Sequence, residues 1–181
     1  GEAHGSPAAT SGATAVPTPS PTAPPAPAAL VMPTCSQVAL PTIPPRVATG
    51  ELVEITRDGD QGNLAEIVPG PVAAAAALAA PQVRSCAWGP PNSDGGVYLA
   101  LAEMTQDQWS AFAGQLAAGG WTAADVGGAP AYTQVTGVDE LSGGPAEWWY
   151  VYQSGVWITF AWTSTPEVRA AAVAGAAAVN P

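Results

Sequence analysis

Apolar positions change their spacing from segment to segment along the chain, and each change marks an element. The clearest helical stretch follows Met104, where Trp109, Phe112, Ala113 and Leu116 recur at the spacing of one helix face. Thr105 with Gln108 forms a capping box at its start and Gly119-Gly120 ends it, so Trp109, Phe112 and Leu116 should face a core. Leu64 to Val68 and Val72 to Ala80 also read as helix, the second opened by Pro71 and stopped by Pro81. A last helix begins at Thr165 as N-cap, with Pro166 in the first position and Glu167 in the first turn, and runs to about Val179.

Strand signals lie between these helices. Val83 to Trp88 and Val97 to Met104 flank the turn-rich Gly89 to Gly96, and Glu147 to Gln153 and Val156 to Thr163 meet at Ser154-Gly155. Glu51 to Thr56 is a short strand or a helix start. Residues 121–145 are weakly patterned, with one strand at Ala131 to Thr136 and a loop through Gly143-Gly144-Pro145. Val38, Leu40 and Ile43, set between prolines, suggest an irregular segment across apolar surface. Hairpins with helices between and after them predict an α+β fold, with an antiparallel sheet of about four to five strands and two to three helices packed on it.

The last hairpin concentrates aromatic residues: Trp148, Trp149, Tyr150, Tyr152, Trp157, Phe160 and Trp162. A three-residue loop, Gln153 to Gly155, would align Trp148, Tyr150 and Tyr152 with Val156, Ile158, Phe160 and Trp162 on one core face. A two-residue loop would instead pair Trp149 and Val151 with that second set. Ser-Gly is a weaker two-residue signal than Asn-Gly, and the longer loop makes one face continuously apolar, so it is the expected register. Trp157 then shares the other face with Trp149, Val151, Gln153 and Thr159. That face is either covered by an alanine-rich helix or binds something, and Trp157, Trp149, Gln153 and Thr159 are the candidate ligand-binding residues.

Composition divides the chain into two parts. Residues 1–33 are built from Ala, Pro, Thr, Ser and Gly, with prolines at 17, 19, 21, 24, 25 and 27, and read as a disordered, extended tether. Residues 34–181 read as a single globular domain. Gly1 to Ser6 reads equally as an added remnant or as a start just after a lipidated cysteine, which leaves room for a lipid anchor upstream of residue 1. No apolar run reaches the ~20 residues needed to span a bilayer. Residues 1–34 lack the basic and apolar regions of a signal peptide, so export implies that a signal has been removed.

Charge narrows the function. The chain has 4 basic residues against 14 acidic ones and a formal charge of -10. No basic stripe exists to neutralise phosphates, which excludes nucleic acid as a partner, and none to hold anionic lipid surfaces. His4 is the only histidine and there is no lysine, so nucleophile–histidine, Schiff-base and histidine–metal chemistry are all excluded from the domain. Carboxylates alone could carry glycoside hydrolysis, with Glu103, Asp107, Asp139, Glu140 and Glu147 as candidates, but their spacing is not diagnostic. Asp58 to Asn63 alternates oxygen-bearing side chains in the manner of a calcium loop. Gly62 and Asn63 break that pattern and Glu66 comes too early, so a polar turn is expected. No cofactor and no metal site is expected.

Cys35 and Cys86 are the two cysteines, and no C-x-x-C spacing accompanies them. A disulfide is the leading reading, two buried free thiols the alternative. The bond, beside a Pro/Thr tether, fits an extracytoplasmic setting, at the cell surface or secreted.

Pro33-Thr34-Cys35-Ser36, an alanine-rich helix and Cys86-Ala87-Trp88 opening a strand resemble the small exported lipoproteins of high-GC actinobacteria, of the DUF3558-like sort, over about residues 34–104. The resemblance implies a disulfide-bonded α+β domain displayed on the cell envelope and carries over no catalytic residue. The expectation is therefore a non-enzymatic binding module on a stalk, contacting an envelope protein or glycan through an aromatic sheet face. A carboxylate-only glycan hydrolase and a structural or accessory subunit of an envelope complex are the alternatives.

Overall fold

The computed structural model describes residues 1–2, 4–5, 29–93, 95–140, 142–161 and 164–181. Trp162, expected in the core, and most of the expected tether lie outside these residues. Among the described residues, the chain forms six helices and seven strands, more of each than the pattern predicts.

In chain order these are α1 (Cys35–Val38), α2 (Ile43–Ala48), β1 (Val53–Asp58), α3 (Gln61–Ile67), α4 (Pro71–Ala79), β2 (Val83–Gly89), β3 (Val97–Glu103), α5 (Gln106–Ala118), β4 (Thr122–Val126), β5 (Ala129–Val138), β6 (Pro145–Gln153), β7 (Val156–Phe160) and α6 (Pro166–Val179). The segment expected to be irregular holds two short helices instead. The first is fixed by a capping box between Thr34 and Gln37, the same device that starts α5 at Thr105 and Gln108. Asp60 accepts from the Asn63 backbone N–H and starts α3 inside the stretch read as a polar turn.

All seven strands form one antiparallel sheet in the order β1-β2-β3-β7-β6-β5-β4. It consists of two meanders, β1 to β3 and β4 to β7, fused where β3 pairs with β7 at the centre. The β4–β5 hairpin lies in the region read as weakly patterned. Its turn is Gly127-Gly128, both at positive φ, and Asp125 accepts from the Gly128 N–H. A glycine pair suits the two-residue turn whose central residues both need φ > 0.

The β6–β7 register corrects the expected one. Gln153 pairs with Val156, Val151 with Ile158 and Trp149 with Phe160, so the loop is the two residues Ser154 and Gly155, at φ 49° and 84°. The physical reason is that both sheet faces are buried. One longer apolar face was the argument for the three-residue loop, but a sheet between two helical layers needs apolar residues on both. One core packs α1, α2 and α6 onto Cys86, Trp88, Leu99, Leu101, Val151, Ile158 and Phe160. The other packs α3, α4 and α5 onto Val83, Ala102, Tyr150, Tyr152 and Trp157.

Cys35 and Cys86 are bonded, tying α1 to β2 across a separation of 51 residues. Residues N-terminal to the expected boundary also engage the domain: Pro33 is fully buried, and Leu30 and Met32 pack against the α6 core.

Candidate functional site

The four residues expected to share a binding face are divided between the two faces of the sheet. Trp157 and Thr159 point toward α3–α5, while Trp149 and Gln153 point toward α6. Trp157 is fully buried, its ring edge-on to Phe112 at 5.0 Å and to Tyr150 at 5.3 Å. It is a core residue and not part of an exposed aromatic surface. Trp149 is half-buried beneath the Arg169 guanidinium, 4.1 Å above its ring. Burial lowers the pKa of Arg169, while Glu147 and Glu167 act the other way. Gln153 donates to the Ser154 hydroxyl in the turn.

The aromatic cluster on the α5 side is closed. Tyr150 stacks on Trp121 at 4.3 Å and Trp109 on Tyr152 at 5.4 Å. The Tyr150 hydroxyl and the Trp157 indole N–H are buried without a hydrogen-bond partner among the described residues. Burial pushes the Tyr150 phenol well above its ordinary pKa, so it stays protonated.

One part of this face is left open. The rows of residues across the sheet show why, because register places side chains of one face side by side. The row under the helices runs Val83, Ala102, Trp157, Tyr152. The next row is Arg57, Ser85, Ala100, Thr159, and the one beyond it begins Ile55, Ala87, Tyr98. Small side chains thus occupy the middle of a sheet face, and larger ones stand around them: Ile55, Tyr98 and Trp148 on the strands and Ile67 on α3. The result is a pocket of about 360 Å³ that also takes in Arg57, Asn63 and Ala161. That volume lies within the roughly 300–1,000 Å³ of small-molecule pockets. Ile55, Ile67 and Tyr98 are 48%, 52% and 43% exposed, an apolar rim facing water.

Polar groups in the pocket are few. The Ser85 hydroxyl is buried with no hydrogen-bond partner among the described residues. Among the described residues, no carboxylate lines the pocket. Of the carboxylates considered for hydrolysis, Glu103 accepts from Gln82 at the end of β3, Asp107 opens α5 and Glu147 accepts from Thr133 on β6. Asp139 and Glu140 line a separate hollow at the β5–β6 connection. Among the described residues, no group of three or more His, Cys, Asp or Glu side chains is placed to hold a metal, and no helix is long and apolar enough to cross a membrane.

Sequence reasoning reached Thr159 in this pocket and missed the rest. The available signal was the trio Ser85, Ala87 and Ala100, small residues in otherwise large-residue strands, legible only once the β1–β2–β3 register is known. No protein-family model, curated protein or solved structure matches the chain.

Proposed function

We propose that this chain is a non-catalytic, extracytoplasmic domain, carried on a Pro/Ala/Thr-rich stalk at the cell envelope, that binds the apolar part of a ligand in the open pocket between β1 and β6. The observation that carries this reading is the floor of small side chains ringed by exposed Ile55, Ile67 and Tyr98. A sheet that buries both faces has no structural need for such a hollow, and apolar walls with few polar groups suit ligand capture. The disulfide and the absence of a membrane-spanning helix among the described residues are compatible with that compartment. The pocket replaces the Trp157 face as the binding surface and offers no carboxylate pair for hydrolysis.

A structural or accessory role is the second reading, favoured by helices covering both faces of the sheet. The test is titration with the neutral apolar dye N-phenyl-1-naphthylamine. Its fluorescence should rise with the wild-type protein and stay low with Ala100→Phe, a variant that fills the floor, at unchanged circular dichroism. No rise with the wild type would leave the accessory role as the better reading.

A further inference from the structure

This inference rests on the pocket being the binding site and concerns what enters it. The four arginines of the chain are unequally committed. Arg46 pairs with Glu51, Arg84 holds Asp58 and the Pro33 carbonyl, and Arg169 lies on Trp149 while donating to Ser164. Arg57 alone has no hydrogen bond or ion pair among the described residues, although the chain carries 14 acidic side chains. It stands at one end of the pocket, directly opposite Ser85 across the β1–β2 pair. Its side chain is exposed to solvent and free to meet a small anionic group.

Apart from Asn63 and Thr159, the remainder of the pocket is apolar and elongated. Its lining runs from β1 through β2, β3 and β7 to Trp148 on β6. At ~4.8 Å per strand spacing this is on the order of 19 Å, a shape that suits a chain better than a compact ring. The head group must be weakly charged. One guanidinium balances a single negative charge, whereas a phosphate monoester brings close to two into a protein whose net charge is already -10.

We propose that the pocket takes a single-chain alkyl carboxylate. The Arg57 guanidinium donates to its two carboxylate oxygens, and the chain lies over Ala87 and Ala100 toward Trp148.

Calorimetric titration of the full chain at about pH 8, where a carboxylic acid of pKa ~4–5 is ionised, tests this with three ligands of one chain length. Decanoate should bind at least about tenfold more tightly than decanol, the usual scale of a hydrogen bond to a charged group. Arg57→Gln should remove that difference and leave the melting temperature unchanged, and Arg57→Lys should restore part of it. Equal binding of decanoate and decanol, unaffected by Arg57→Gln, would overturn the carboxylate and leave the pocket standing. Tighter binding of decyl phosphate than of decanoate would overturn the choice of head group. If none of the three binds, the pocket reading fails together with the proposal.

Discussion

At the scale of single residues, burial separates side chains that the sequence groups together. Trp149 and Trp157 look alike along the strand pattern, yet one lies half-buried under a cation and the other is sealed among rings. Loss of a buried large aromatic typically costs ~3–5 kcal/mol, because the cavity it leaves refills only in part. Trp157→Ala should therefore lower the denaturant midpoint by an amount in that range, and Trp149→Ala should cost clearly less. Equal midpoints for wild type and Trp157→Ala would place the ring outside the core. Close backbone approaches tell the same story at Gly175, where an added Cβ would lie 2.0 Å from the Gln37 carbonyl oxygen. Nothing in the alanine-rich sequence around Gly175 distinguishes this contact, because its partner lies in a distant segment.

Among the elements, those with strong local signals were legible and those set by partners were not. The capped helix α5, the proline-opened α4 and α6, and strands β2, β3, β6 and β7 follow from spacing and caps within a few residues of their ends. β4 was missed because its five residues, Thr122 to Val126, are held by pairing with β5 and carry no strong period of their own. The hairpin β6–β7 shows how register depends on the layers around it. With a second helical layer present, the two-residue loop buries both sets of side chains, and Ser154 accepts φ 49° to allow it. Serine is a poor choice for that conformation and asparagine a good one. Ser154→Asn should therefore raise stability by about 0.5 kcal/mol or more, read as a higher melting temperature. A three-residue bulged loop would not place this residue at positive φ, so a loss of stability would contradict the register.

Across the whole molecule, the two meanders meet only at β3–β7, and the chain closes this arrangement by joining its ends. The disulfide fastens α1 to β2, and α1 in turn packs against α6. In the loop-entropy model a separation of 51 residues makes that bond worth roughly 4 kcal/mol. The segment before α1 adds a second fastening. The Val31 backbone and the Asn180 side chain exchange two hydrogen bonds of 2.9 Å, and the Pro33 carbonyl accepts from Arg84 at 2.8 Å. Leu30 lies over Gly155, close enough that a Cβ there would approach its Cδ1 to 2.9 Å. Composition places the break between tether and domain at about residue 33, because Leu30 to Met32 is too short an apolar run to show a period, and its partners lie at the other end of the chain. Two truncations separate the fastening from the tether. Deletion of residues 1–28, a stretch too poor in large apolar side chains to repay its ordering, should leave the melting temperature within a few degrees of the full chain. Deletion of residues 1–33 removes a Leu and a Met side chain from apolar contact, a buried proline and four hydrogen bonds, a loss of roughly 3 kcal/mol. For a domain of this size that corresponds to a melting temperature about 6–12 °C lower. Equal melting temperatures for the two truncations would show that the segment before Cys35 adds nothing to the fold, and a large drop already at 1–28 would move the start of the domain toward the N-terminus.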